Sequence, residues 1–316
     1  MSLFQQTSNV LDIPTGRLKM DILGPRWQKD KVVVVMGATG TGKSRLSIDI
    51  ATQFPSEIIN SDKMQVYKGL DVVTNKISEQ EMSGVPHHLL GVVNPNTEFT
   101  ATDFCDMTSL AVESILTRGL LPIIVGGSNS YVEALMDGGD YRFRSRYDCC
   151  FLWVDVSMPV LHEFVCKRVD QMVRNGMVDE VRDMFDPTAD YSRGIRKSIG
   201  VPEFDSYFRA EPYLDEENRA RLLGEAVSEI KMNTCKLATR QLEKIQRLRN
   251  VKGWNIHRID ATEVFCKSGK EADKAWEKQV ARPSAAILGE FLYNFPTPST
   301  ATVGTAKEYF PQCLVA

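Results

Sequence analysis

Residues 37–44 have the spacing of a phosphate-binding loop and come directly after an apolar run at residues 32–36. Glycines in such a loop let successive backbone N–H groups turn toward one anion, and the following helix adds its positive N-terminal end. The lysine supplies an ammonium group, and the hydroxyl after it can hold Mg²⁺. The sequence therefore predicts a site for a diphosphate or a triphosphate. The residues that fit the pattern Gly-x-x-x-x-Gly-Lys-Ser are Gly37, Ala38, Thr39, Gly40, Thr41, Gly42, Lys43 and Ser44.

Two further groups of polar residues follow predicted strands. Asp62 comes after a strand at 57–60, and Gly126-Gly127-Ser128 comes after a strand at 121–125. Ligands of open α/β sheets bind at the carboxyl ends of the strands, so these groups and the phosphate-binding loop are expected to converge on one cleft. Asp62 is there a candidate general base or Mg²⁺ ligand, with a turn or a helix cap as the structural alternative. The glycine pair either lets a backbone approach a ligand closely or forms a tight turn.

Other polar residues are weaker candidates. Asp155 ends an apolar strand in the manner of a Walker B aspartate, or it has a structural role. His87 and His88 are neighbours on a loop, where two side chains rarely chelate one metal together. Two basic clusters are either phosphate sites or solvated surface. The clusters are Arg142, Arg144 and Arg146, and Arg193, Arg196 and Lys197. These parts alone indicate a P-loop kinase of a small molecule.

The elements that position these residues are alternating strands and helices. Apolar runs predict strands at 32–36, 57–60, 121–125 and 150–156, and helical periodicity predicts helices at 43–54 and 103–118. Strands that are apolar throughout are typical of a parallel sheet covered on both faces. The predicted fold is therefore α/β, with a P-loop NTPase-like parallel sheet, helices on both faces and a smaller helical subdomain.

The chain divides by composition into five predicted segments. A change from alternating strands and helices to helices alone marks the main boundary, and a proline-containing stretch marks the tail. The segments are an N-terminal lead-in at 1–30, the P-loop core at 31–157, a helical subdomain at 158–230, C-terminal helices returning to the core at 231–292, and a flexible tail at 293–316.

Composition narrows the class of protein. The 316 residues are 43% hydrophobic and 25% charged, which is ordinary for a soluble globular protein. The net charge of −3 gives no global field that attracts nucleic acid, and the apolar runs are too short to span a membrane. Seven cysteines without metal or disulfide spacing fit a reducing compartment. We expect a monomer in a reducing compartment.

Beyond the phosphate-binding loop, several motifs occur in the order typical of one family. They are Asp62-Lys63-Met64-Gln65-Val66-Tyr67, Pro86-His87-His88-Leu89-Leu90, Val125-Gly126-Gly127-Ser128-Asn129-Ser130-Tyr131, Arg168-Val169-Asp170, Ile195-Arg196-Lys197-Ser198-Ile199-Gly200 and Thr239-Arg240-Gln241. Over residues 30–250 the chain resembles the isopentenyltransferase family. One branch of that family modifies adenine in tRNA, and the other alkylates free adenine nucleotides, the first step of cytokinin biosynthesis.

The resemblance is stronger to the branch that uses free nucleotides. Residues 144–156 and 191–204 look like the plant adenylate enzymes, and Ser128-Asn129-Ser130 replaces the Thr-Gly-Leu usual in the tRNA branch. The resemblance implies transfer of a dimethylallyl group from dimethylallyl diphosphate to N6 of ATP, ADP or AMP. The tRNA reaction is the alternative, and a small-molecule kinase is a weaker one. Because plant members of this branch include plastid enzymes, the resemblance implies the plastid stroma or the cytoplasm as the compartment.

The resemblance also implies roles for single residues. The P-loop, with Lys43 and with Mg²⁺ on Ser44, would hold the diphosphate of the prenyl donor, because pyrophosphate is the leaving group. Asp62 would take the N6 proton, and Ser128 would contact the adenine or the departing diphosphate. Gln65 would belong to the nucleotide site. The residues inferred from charge and position to bind the nucleotide's phosphates are Arg146, Arg196 and Lys197.

Overall fold

The computed structural model describes residues 29–138 and 143–293. The strands within these residues are β1 (Asp30–Met36), β2 (Ser56–Asn60), β3 (His87–His88), β4 (Leu121–Val125), β5 (Tyr147–Asp155) and β6 (Ile256–Asp260). They form one sheet in the order β3-β2-β4-β1-β5-β6, and each neighbouring pair is parallel. The predicted α/β class and parallel sheet are confirmed.

Helices connect and cover the strands. Those before β5 are α1 (Lys43–Gln53), α2 (Glu79–Met82), α3 (Ala101–Thr117), α4 (Asn129–Asp137) and α5 (Phe143–Arg146). Those after β5 are α6 (Met158–Arg174), α7 (Met177–Met184), α8 (Asp205–Ala210), α9 (Glu216–Asn250), α10 (Thr262–Phe265), α11 (Gly269–Trp276) and α12 (Arg282–Tyr293). Short 3₁₀ turns lie at Gly194–Lys197, Pro202–Phe204 and Glu211–Tyr213, and a π-helical turn at Glu277–Ala281 joins α11 to α12.

The core lies on both faces of the sheet, as continuous apolar strands require. In β1, Val32 and Val34 face one cluster of buried side chains, and Val33 and Val35 face the other. Helices α3 and α4 cover the first face, and α1, α11 and α12 cover the second. Each fully buried valine or isoleucine contributes about 1.5–3 kcal/mol of transfer free energy, so the central strands anchor the loops that follow them.

Helix α9 connects the helical region to the sheet. It is one continuous helix of 35 residues and passes residue 230, where the sequence suggested a boundary. Asp215 caps its N-terminus by accepting a hydrogen bond from the Asn218 N–H at 2.9 Å. Ile230 packs near its middle, and Ile245 and Leu248 pack further along, all in the cluster on the α3/α4 face. The helix therefore reaches from the helical subdomain to the loops at the carboxyl ends of the strands.

Two strands escape prediction from the sequence. β3 has two residues, and β6 lies at the sheet edge with only Ile256 and Ile259 buried rather than an apolar run. Of the predicted segments, residues 1–28 of the lead-in and 294–316 of the tail lie outside the described residues. Among the helices that the structure describes, each is too short or too polar to cross a membrane.

Candidate active site

The carboxyl ends of β1, β2 and β4 meet at one cleft. These strands are neighbours in the sheet, so the loops that follow them lie side by side. The cleft has a volume of about 510 Å³, and its lining includes P-loop residues, Asp62, Gly126 and Gly127. The structure therefore brings together the three groups that the sequence placed at strand ends.

The P-loop is a tight turn that the surrounding side chains fix. Gly40 and Gly42 have φ angles of +84° and +89°, which residues with a Cβ rarely adopt. A Cβ on Gly42 would lie 2.7 Å from the ring of Trp276, so the site also lacks room for one. Trp276 is held by a hydrogen bond of 2.6 Å from its indole N–H to Asp49. Within the loop itself, the Thr41 hydroxyl donates a hydrogen bond to the Ala38 carbonyl at 3.0 Å.

Lys43 lies within this turn. Its ammonium donates to the Ala38 carbonyl at 2.7 Å. Burial lowers the pKa of Lys43 from 10.5 to about 8; the carboxylate of Asp62 opposes this effect, and the charge of Arg168 adds to it. A diphosphate bound in the loop would place negative charge beside Lys43 and favour its charged form.

Arg168 brings a second cation to the P-loop from α6. Its guanidinium donates to the Thr39 hydroxyl at 2.8 Å, and it lines the cleft. Burial lowers its pKa to about 10, with the charge of Asp62 acting in the opposite direction. The buried Nε has no hydrogen-bond partner among the residues that the structure describes. A guanidinium with a buried, unused donor is suited to an anion. In the sequence, Arg168 stood out only as part of a motif that matches the family.

Asp62 is fixed at the end of β2. Its Oδ1 accepts from the Met64 N–H at 2.9 Å, and its own N–H donates to Asn60 Oδ1 at 3.0 Å. Its Oδ2 lies 3.7 Å from the position that a Cβ on Gly127 would take. The carboxylate thus forms the expected turn and also lines the cleft opposite the neighbouring loop.

Three other predicted residues are close to this cleft. Ser44 is exposed on the first turn of α1 and lines it. Gln65 also lines it and donates to the carbonyls of Thr74 and Asn75, both at 3.1 Å. Ser128 precedes α4, and its hydroxyl accepts from the Lys63 N–H at 2.9 Å, so this hydroxyl joins the loops after β2 and β4.

The predicted basic residues separate. Lys197 lines the cleft and pairs with Glu98 at 2.8 Å, while Arg196 donates to Asn96 on the loop before α3. Arg146 directly precedes β5, at the amino end of the sheet, and pairs with Glu113 at 2.8 Å. The amino and carboxyl ends of parallel strands lie at opposite edges of the sheet. Arg146 therefore lies at the edge opposite the P-loop. Arg142 lies outside the described residues.

Asp155 and the histidine pair have structural partners. Asp155 is 8% exposed and accepts from Arg258 of β6 at 2.7 Å, while burial raises its pKa. His88 bonds to Glu57 at 2.6 Å, and His87 bonds to the Val85 carbonyl at 2.8 Å. Within residues 29–138 and 143–293, groups of three or more His, Cys, Asp or Glu side chains placed to hold a metal are absent.

Apolar side chains also line the cleft, and we call them its apolar wall. They come from α6, α9 and the loops after β2, so the cleft has both polar and apolar lining. The residues that line this wall include Met64, Val73, Phe164, Val169, Ile230 and Leu237. Such a cleft can hold a ligand with an anionic end and a hydrocarbon or flat aromatic part.

A parallel sheet with this P-loop, two cations and a carboxylate in one cleft defines a P-loop protein that acts on a phosphorylated ligand. The family described as IPP transferase matches residues 65–144 and 139–247, which is more than half of the chain. The chain belongs to the IPP transferase family.

Relatives and solved structures give the same family. Adenylate isopentenyltransferase 3, chloroplastic, from Arabidopsis thaliana is 57% identical over 98% of this chain and 95% of that protein. The adenylate isopentenyltransferase of Humulus lupulus is 48% identical over 82% of this chain and 89% of that protein. A eukaryotic dimethylallyltransferase acting on tRNA has a TM-score of 0.71 at 25% identity, covering 86% of this chain and 81% of its own. The tRNA isopentenylpyrophosphate transferase of Bacillus halodurans has a TM-score of 0.67 at 27% identity, covering 83% and 98%.

Proposed function

We propose that this enzyme transfers the dimethylallyl group of dimethylallyl diphosphate to N6 of a free adenine nucleotide and releases pyrophosphate, the first step of cytokinin biosynthesis. The observation that carries the proposal is the single cleft that holds a P-loop, a carboxylate and an apolar wall. The name of the relative at 57% identity supports the nucleotide as acceptor.

The P-loop is the site for the donor's diphosphate. As the bond from carbon to oxygen breaks, negative charge grows on the leaving pyrophosphate. Backbone N–H groups at the start of α1, the ammonium of Lys43 and the guanidinium of Arg168 stabilise that charge. Arg168 also holds the Thr39 side chain, with 2.8 Å between the guanidinium and the hydroxyl.

The acceptor is a weak nucleophile, because the N6 lone pair of adenine is delocalised into the ring. Asp62 accepts the N6 proton as the new bond from carbon to nitrogen forms. The allylic carbon carries positive charge at that moment, so the apolar wall keeps water from capturing it. Lys197 is the basic residue of the two predicted clusters that lines the cleft, and we assign it to the acceptor's phosphates. Gln65 and Ser128 support the loops that border the acceptor.

The donor atoms in the cleft suit Mg²⁺. The Ser44 hydroxyl and the Asp62 carboxylate are hard oxygen ligands that line the same space. Mg²⁺ commonly completes its shell with water and substrate phosphates, so a cage of protein ligands is not required. When bound, the ion neutralises charge on the leaving diphosphate, and Ser44 is the residue that we assign to it.

An assay with separate acceptors tests the proposal. The protein is incubated with Mg²⁺, dimethylallyl diphosphate and AMP, ADP, ATP or an unmodified tRNA, and products are analysed by mass spectrometry. We expect a gain of one C₅H₈ unit on at least one free nucleotide. Product on tRNA alone would support the tRNA reaction, the second candidate, which the solved structures of tRNA-acting enzymes favour. Phosphorylation of an acceptor without prenyl transfer would support a kinase.

We further propose a monomer in the plastid stroma, with the cytoplasm as the alternative. The word chloroplastic in the names of relatives at 57% and 58% identity supports the plastid. Light scattering at the chain mass of 35.5 kDa tests the oligomeric state, and imaging of a fluorescent fusion in plant cells tests the compartment.

A further inference from the structure

The side-chain amide of Gln241 bridges the two loops on either side of the cleft. Its Oε1 accepts from the Thr39 N–H of the P-loop at 2.7 Å, and its Nε2 donates to the Gly127 carbonyl at 3.0 Å. Gln241 is 9% exposed and comes from α9, more than 100 residues later in sequence than either loop. One buried amide therefore makes two hydrogen bonds to two separate backbone segments.

Both bonds depend on the chemistry of a primary amide. The Thr39 N–H requires an acceptor, and the Gly127 carbonyl takes a donor in addition to the Asn129 N–H at 3.0 Å. A glutamine offers both an acceptor and a donor at the end of one side chain. The backbone of Gln241 is held as well, because Asn129 Nδ2 donates to its carbonyl at 3.2 Å. Buried Ile245, one turn further along α9, fixes the helix against the core.

One of the bridged loops binds the donor's diphosphate in the proposed reaction, and the other lies beside the base that acts on the acceptor. Thr39 belongs to the loop for the leaving diphosphate, where its hydroxyl also accepts from Arg168 at 2.8 Å. Gly127 lies beside Asp62, whose Oδ2 is 3.7 Å from the position of a Cβ on Gly127. The same Cβ would lie 2.4 Å from Gln241 Nε2, so the amide packs tightly between the loops.

We propose that Gln241 is a positioning residue that sets the spacing between the loop for the leaving group and the loop beside the general base. This inference rests on the proposed function, since alignment matters when N6 and the allylic carbon must meet in line with the departing oxygen. Misplacement of reacting groups by about 1 Å can cost about 100-fold in rate. Gln241 acts through Thr39 and Gly127, so its loss should slow the bond-forming step more than it weakens binding of either substrate.

The first experiment replaces Gln241 by methionine, which has a similar length and makes neither bond. We expect kcat of Q241M to fall about 10–100-fold, while the Kd for dimethylallyl diphosphate, measured by calorimetry with Mg²⁺, changes less than about threefold. The same substitution at Gln246, which is exposed on the same helix, is the matched control, and Q246M should keep the native kcat. Binding stoichiometry from the same titration gives the fraction of competent sites.

A double-mutant cycle gives a second, independent readout. G127A places a methyl group against the side-chain amide of Gln241, and Q241A removes that amide. We expect G127A to lower kcat in the native background and to cost at least threefold less in the Q241A background. If Q241M fails to fold, kcat and the donor Kd of G127A alone carry the test, because G127A perturbs the bridge without deleting it.

Three results would overturn the inference. One is a kcat of Q241M equal to that of Q246M. Another is a loss of kcat that simply follows a loss of competent sites, as a purely structural role predicts. A third is additivity of G127A and Q241A. Failure of the proposed function is distinguishable, because the native protein would then prenylate none of the free nucleotides, whatever the variants do.

Discussion

The charge of Lys43 should set an alkaline limit on binding of the prenyl donor. Burial in the P-loop lowers the pKa of this residue from 10.5 to about 8, against the opposing effect of Asp62. Above that pH the free enzyme loses the ammonium that meets the diphosphate. The perturbation is therefore a rise in pH, and the affected quantity is kcat/KM for dimethylallyl diphosphate, which reports on groups of the enzyme before the donor binds.

The size of the effect follows from the pKa. With a value of about 8, only about one-tenth of the Lys43 side chains are charged at pH 9, whereas a lysine at 10.5 would be almost fully charged. We expect kcat/KM to fall about tenfold for each pH unit above about 8. Bound diphosphate stabilises the ammonium and raises its pKa, so kcat at saturating donor should stay nearly level over the same range.

The assay is initial-rate kinetics between pH 7 and pH 10 at saturating nucleotide, with K43R as the comparison. Arginine keeps its charge throughout this range, so K43R should be slower overall but should lack the alkaline decline. If kcat/KM of the native enzyme stays level up to about pH 9.5, or if K43R shows the same decline, the alkaline decline does not come from Lys43.

Three other predictions test individual residues. D62N should slow prenyl transfer about 10²–10⁴-fold while donor binding persists, measured by turnover and calorimetry; native turnover would remove Asp62 as the base. K43M should abolish turnover and should also lose a pH dependence of stability. Between pH 8 and 10.5 the unfolded chain binds more protons at Lys43 than the folded protein does, so the free energy of unfolding of the native protein should rise with pH. Urea titrations at several pH values should show a smaller rise for K43M. D155N should lower stability by about 1–3 kcal/mol, because it weakens the bond to Arg258, yet keep kcat within about threefold; a large loss of kcat would revive a catalytic role for Asp155.

Local patterns predict the part of the fold that lies next to the P-loop. The apolar run of β1, the glycine spacing and the periodicity of α1 are each contained within a few residues, so the sequence predicts the loop and its flanking elements together. Asp62 was predictable for the same reason, since it directly follows β2. In contrast, β6 is an edge strand with two buried residues, Ile256 and Ile259, and two apolar residues are too weak a pattern to predict a strand.

The missed parts of the site depend on contacts between distant segments. Arg168 reaches Thr39 across 129 residues, and Gln241 reaches it across 202, so spacing in the sequence says nothing about either contact. Charge and position in the sequence suggested that Arg146 lies near the acceptor, but its place before β5 puts it at the opposite edge of the sheet. Topology, which decides the edge to which a loop belongs, was the missing information.

The most direct test of the central claim is a competition between acceptors for one prenyl donor. The protein, Mg²⁺ and limiting dimethylallyl diphosphate are mixed with a free adenine nucleotide and an unmodified tRNA, and fragmentation mass spectrometry locates the added C₅H₈ unit. We expect the unit on N6 of the free nucleotide, and we expect D62N to abolish most of this product. Label found only in tRNA, or only as dimethylallyl alcohol from hydrolysis, would contradict it.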